Sequence, residues 1–136
     1  MSDIDLDDDE LFMEELKEDF KKQVSQYLIE MYRLYNIYDS KPIERIEKIS
    51  HDIKGTSGIF GYDRGTDIAR DLNEATKRIR KAMSMCKVFE EEVQNLPPLI
   101  EKLAEYLKEN DLVVPGFKWE DLKFSSEEEE EEEIYE

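Results

Sequence analysis

The sequence predicts an all-α fold, an up-down antiparallel four-helix bundle followed by a disordered acidic C-terminal tail. Four stretches repeat apolar residues at steps of three and four, the spacing of one face of an α-helix. Short polar or Pro/Gly breaks separate them, and short connections join antiparallel neighbours. No segment alternates apolar with polar residues, and no Asn-Gly or Asp-Gly hairpin signal occurs. At 136 residues the chain is long enough for one core and too short for two.

The first helix is expected from about Leu11 to Tyr35, burying Phe12, Leu16, Phe20, Val24, Tyr27, Met31 and Leu34 along one stripe. Asp39-Ser40-Lys41-Pro42 stops it and starts the next: Ser40 is a capping residue, and Pro42 falls in a first turn, where its missing N–H costs nothing. The second helix carries Ile46, Ile49, Ile53 and Phe60 on one side. Beyond a turn at Gly61-Tyr62, Asp63 is the expected N-cap of a third helix with the stripe Ile68, Leu72, Ala75, Ile79, Ala82 and Cys86. The fourth stripe, Phe89, Val93, Leu96, Ile100, Leu103 and Leu107, passes straight through Pro97-Pro98. Either the helix kinks there, or Asn95 opens a new segment with both prolines in its first turn.

The domain layout read from this is an acidic arm over residues 1–10, a bundle over 11–110 and an extension over 111–136. The extension contains Phe117, Trp119 and Phe124 and then seven consecutive glutamates. Mutual repulsion keeps such a run disordered, and its favoured role is solubility and linker behaviour. The alternative is that the three aromatic residues pack on the bundle or form a short docking peptide.

The net charge of −17 belongs to the ends. Residues 1–10 hold six acids and residues 125–136 hold eight, with no Lys or Arg in either, so 22 acids face 19 bases over the rest. A chain with that balance is not expected to bind nucleic acid, which needs clustered cations against phosphate. Lys77, Arg78, Arg80, Lys81 and Lys87 read as a solvated helix face. One cysteine and one histidine exclude a disulfide framework and a protein-built zinc site. The acidic N-terminus lacks the basic start of a signal peptide, and no apolar run reaches membrane-spanning length. A cytoplasmic protein with no membrane partner is expected, and a monomer.

The stretch HDIKGTSGIFGY, residues 51–62, holds the single histidine and three of the five glycines. His51 lies two residues after Ile49, about 200° around the helix from the core stripe, and therefore projects outward. On its face, at plus three, four and seven, stand Lys54, Gly55 and Gly58. Each helical glycine costs roughly 1 kcal/mol relative to alanine. The pattern clears a surface on which a large partner can bring a reactive group against the imidazole. Lys54 offers a positive charge to an anionic group on the ring, and Ser57 a flanking hydroxyl. An exposed nucleophilic ring with an open approach suits a transient phosphoryl carrier. No acid pair, nucleophile–base dyad or phosphate loop is present to support an enzyme with its own ATP site.

His51, Lys54, Gly55, Ser57 and Gly61 stand at the spacing of the histidine-containing phosphotransfer (HPt) domain, which the chain resembles over about residues 10 to 110. The resemblance implies a four-helix bundle whose second helix displays the phosphorylated histidine. His51 would exchange a phosphoryl group with the phosphoaspartate of a response-regulator receiver domain or with a histidine kinase. Lys54 would stabilise that group and Gly55 would admit the receiver, while Mg²⁺ would belong to the receiver and this chain would hold no cofactor. The segment is similar to the N-terminal phosphotransfer domain of the chemotaxis kinase CheA. Where that subfamily typically has a histidine and a glutamate on the third helix, this chain has Arg70 and Asn73. Asn73 remains a candidate hydrogen-bond partner for the imidazole. A free-standing phosphocarrier is therefore preferred, with two alternatives: a CheA-like phosphoacceptor domain, or a non-phosphorylated adaptor of the same shape.

Overall fold

A computed structural model describes residues 2–34, 40–87 and 90–124. Helices α1 (Ser2–Leu34), α2 (Ser40–Ile59), α3 (Asp63–Ser84), α4 (Glu90–Gln94) and α5 (Leu96–Glu109) follow one another, and a 3₁₀ turn occupies Trp119–Asp121. The described residues contain no strand. Helices α1, α2, α3 and α5 form a four-helix bundle, with the most extensive packing between α2 and α3. Tyr35, Phe89 and the glutamate run lie outside the described residues, as does the Ser40 side chain.

The apolar stripes become the core. Met31, Ile46, Ile49, Ile53, Leu72, Ile79, Leu96, Ile100, Leu103 and Leu107 are all fully buried, and Leu28 of α1 and Ile43 from the first turn of α2 join them from outside the expected stripes. The fourth stripe resolves as two pieces: the helix breaks at Asn95, and Pro97 and Pro98 enter the first turn of α5, where no hydrogen bond is lost. Asn95 holds the cap position without a side-chain capping bond.

Three helix ends correct the sequence reading. Helix α1 runs back to Ser2, so the expected N-terminal arm is helical, yet Phe12 is 60% and Leu16 37% exposed. The reason is length. A helix of 33 residues extends about 50 Å, whereas the 20 residues of α2 reach about 30 Å, and the first turns of α1 outrun their neighbours. Asp63 is the first residue of α3 rather than its cap; Tyr62 takes that position, and Asp63 places a favourable negative charge in the first turn. Cys86 is exposed rather than buried, because α3 ends at Ser84. It adopts φ 55° in a closing turn where Lys87 N–H donates to the Ala82 carbonyl.

The linker reading of the extension fails for residues 111–124. Leu112 and Val113 are buried, and Phe117, Trp119, Leu122 and Phe124 pack against the core. Val114 N–H donates to Ser25 Oγ on α1 at 3.0 Å. Lys108 lies over the Trp119 ring, which meets Phe117 edge-on. Phe124 stacks on Tyr32 with ring centroids 4.3 Å apart.

That stack gives a pH prediction. Burial, and next the charge of Glu101, push the Tyr32 hydroxyl up to about 12. A phenol that holds its proton more tightly when folded contributes stability fully present below pH about 10 and lost as pH rises through the folded value. Tyr32→Phe keeps the ring and removes the titration. The stability difference between wild type and Tyr32→Phe, measured by denaturant titration, is expected to move against the wild type from pH 10 to 12. A difference independent of pH would contradict this.

Candidate functional site

His51 is exposed in the middle of α2, and the residues on either side of it explain its direction. Successive residues of a helix are turned by about 100°, so Ser50 and Asp52 flank the histidine on opposite sides. Ser50 is fully buried towards α3: its hydroxyl donates to the Glu47 carbonyl at 2.9 Å and accepts from Asn73 Nδ2 at 3.2 Å. Asp52 is half-buried towards α1, where its Oδ2 accepts from the Tyr27 hydroxyl at 2.9 Å. Gln23 Nε2 donates to that same hydroxyl at 2.9 Å. With α2 tied to α3 through residue 50 and to α1 through residue 52, residue 51 points away from the bundle.

A second layer holds the α1 side. Arg45 makes a forked pair with Glu30, Nε to Oε1 at 2.6 Å and Nη2 to Oε2 at 3.0 Å, and lies over the Tyr27 ring. Burial, followed by the hydrogen bond to Asp52, raises the Tyr27 hydroxyl above its ordinary value. The neighbouring basic stretch is exposed as expected, and part of it is paired. Arg80 meets Glu47 on α2 at 3.1 Å, and Arg78 meets Glu92 on α4 at 3.3 Å.

The three glycines of the motif separate by what each one is needed for. Gly61 has φ +78° and closes α2: its N–H donates to the Gly58 carbonyl, and Tyr62 N–H reaches the Ser57 carbonyl, a Schellman ending that requires left-handed backbone. Gly55 and Gly58 lie within the helix and are exposed. A Cβ on Gly55 would meet nothing within 4 Å, and one on Gly58 would make only an ordinary 3.9 Å contact with Thr66 Oγ1. The fold itself does not require either glycine.

Gly65 on α3 is the contrast, since a Cβ there would lie 2.7 Å from a ring carbon of Tyr106 on α5. Opposite outcomes are expected from the same substitution. Gly55→Ala should stabilise the protein by about 0.5–1 kcal/mol, because alanine is the better helix residue and has room. Gly65→Ala should destabilise it by about 1–3 kcal/mol through overpacking. Thermal or denaturant unfolding of the two variants checks both signs.

Of the residues anticipated around the histidine, Lys54 is half-buried on the same helix face, next to open Gly55. Two others point elsewhere. Ser57 is 1% exposed, because plus six residues is a 240° rotation that carries it to the inner side of α2, and its Oγ has no hydrogen-bond partner among the described residues. Asn73 is 2% exposed and its amide nitrogen is engaged by the Glu47 carbonyl at 2.8 Å and by Ser50 Oγ, so it braces α2 against α3 rather than donating to the ring. The sequence reading missed Tyr27 and Asp52 as a pair. The available signal was a polar hydroxyl in the α1 stripe and an acid flanking the α2 stripe.

No helix among the described residues is long and apolar enough to cross a membrane. The comparisons with curated proteins and with solved structures give no match. The Hpt domain family model matches residues 10–111, three quarters of the chain, from within α1 through the end of α5. Hpt domains act in phosphorelays as phosphocarriers rather than enzymes, between histidine kinases and response regulators. With that match over an all-helical bundle displaying one outward histidine on its second helix, the chain belongs to the Hpt domain family.

Proposed function

We propose that this protein is a free-standing phosphocarrier that accepts and donates a phosphoryl group on His51. The observation that carries the reading is the exposed imidazole beside Gly55 and Gly58, two helix glycines for which the fold has no packing use. The lost helix stability, roughly 1 kcal/mol each, is offset only if something outside the chain uses the space.

In the forward step a ring nitrogen of neutral His51 attacks the phosphorus of an aspartyl phosphate on a receiver domain. A P–N bond forms as the P–O bond breaks, the carboxylate leaves with the bonding pair, and the other ring nitrogen keeps its proton. Lys54 supplies a cation on the same helix face for the incoming phosphoryl oxygens. The receiver supplies the Mg²⁺ that its own phosphoaspartate chemistry uses. The reverse step regenerates imidazole, so one side chain serves both directions. Bracing by Ser50–Asn73 and Asp52–Tyr27 holds the ring outward in both.

The experiment is transfer of labelled phosphate from a phosphorylated receiver domain, or from phosphoramidate, followed by acid and base treatment. Label that is lost in acid and kept in base supports the proposal. Acid-stable label, or none on the folded protein, overturns it.

A further inference from the structure

Residues 111–124 strap the bundle and leave a groove where they cross α1. Its floor is apolar, formed by Ile29, Tyr32, Phe117 and Leu122, and it encloses about 380 Å³. Its rim is charged: Arg33 from α1 and Lys118 and Lys123 from the strap stand against one acid, Asp121. All four are exposed, and among the described residues none of the three cations has an ion-pair partner. A groove that is apolar below and cationic at its edges fits an extended acidic peptide, with carboxylates laid along the rim.

Such a peptide is already tethered to it. Phe124 stacks on Tyr32, a floor residue, and Glu127 follows three residues later. At about 3.5 Å per residue, Glu127 stands at most about 10 Å from Phe124, and Glu133, the last of the seven glutamates, at most about 30 Å. Tethering at that range holds the run beside the rim at an effective concentration on the order of millimolar. A second copy presenting the same segment would bring its own net charge of −17 with it. The basic stretch on α3 competes poorly, since Arg80 and Arg78 are already held by Glu47 and Glu92.

We propose that Glu127–Glu133 of this chain dock in cis along the groove between α1 and the strap, with their carboxylates on Arg33, Lys118 and Lys123. The groove lies on the far side of α1 from the histidine: Ile29 is two residues, about 200°, beyond Tyr27, whose hydroxyl faces Asp52 on α2. Docking there leaves His51 open and does not depend on its phosphorylation. Exposed ion pairs add little to stability, so removal of the glutamates is not expected to change melting, and the readout is structural.

The test is proton–nitrogen NMR of the full chain beside two variants. In one, each residue from Glu127 to Glu133 is changed Glu→Gln; in the other, Arg33→Glu, Lys118→Glu and Lys123→Glu are combined. All three rim positions are exposed, and unmoved amides of the core helices check that both variants fold. Neutralising the glutamates is expected to shift the amides of Ile29, Arg33 and Lys118, none of them a sequence neighbour of the changed residues. Reversing the rim is expected to shift the amides of residues 127–133. Raising the salt of the wild type should reproduce both sets of shifts, because screening weakens the same pairs.

Amides of Ile29, Arg33 and Lys118 that stay in place when the glutamates are neutralised overturn the proposal. Shifts concentrated on Lys77, Arg78, Arg80, Lys81 and Lys87 assign the run to α3 and overturn it as well. Groove shifts that appear in the wild type on dilution alone assign the groove to the glutamates of a second copy and overturn docking in cis.

Discussion

His51→Gln is expected to abolish phosphoryl acceptance while leaving the protein folded with an unchanged melting temperature. Both halves follow from geometry. The ring is exposed and makes no bond among the described residues that holds the bundle, whereas its neighbours in sequence, Ser50 and Asp52, make the bonds to α3 and α1. Glutamine keeps the length and helix propensity of the position but has no nucleophilic nitrogen. The loss should be complete because no second histidine exists to take the group. Labelling that persists in His51→Gln would place the acceptor elsewhere. A variant that no longer folds would show that the imidazole is structural.

Truncation after Asn110 is expected to have the largest effect on stability. The segment beyond it removes Leu112 and Val113 from water and lays four further apolar side chains against the core. Burial of such a residue contributes about 1.5–3 kcal/mol, so the two buried residues alone represent about 3–6 kcal/mol. Domains of this size are stable by only about 5–15 kcal/mol. The truncated chain should melt on the order of 10 to 20 °C lower, or fail to fold. A chain ending at Phe124 keeps every contact described here and should melt with the full chain. Equal melting of all three would show that residues 111–124 contribute nothing to the fold. The family match ends at residue 111, so this strap is an addition to the matched domain that completes its core.

How much of this was legible in the sequence depended on whether the physics was periodic. The α2, α3 and α5 cores repeat at helical spacing, and Ile46, Ile49, Leu72, Ile79, Ile100 and Leu103 are buried where the period puts them. Phe12 and Leu16 satisfy the same period and are exposed, because periodicity defines a face and not whether a neighbouring helix is long enough to cover it. Leu112 and Val113 are buried without any period, in a segment rich in turn residues, so no pattern could distinguish a strap from a linker.

The candidate site was legible to the same degree. The outward direction of His51 and the openness at Gly55 follow from rotation about one helix axis, and the structure has both. Ser57 was misplaced although that rotation could have been applied to it. Asn73 was misplaced because a choice between an imidazole and the Glu47 carbonyl depends on how two helices sit against each other. Tyr27 and Asp52 lie 25 residues apart in sequence, and only tertiary packing brings them together. Gly65 is the clearest case of an invisible constraint, since the ring of Tyr106 that fills the space above it comes from another helix.

The most direct test of the central claim is phosphorus NMR of the wild-type protein after phosphorylation by a receiver domain or phosphoramidate. The account predicts one phosphoramidate resonance, correlated with the His51 ring protons, that disappears in acid and survives base. A phosphate-ester resonance that survives acid would place the group on a hydroxyl side chain and contradict it.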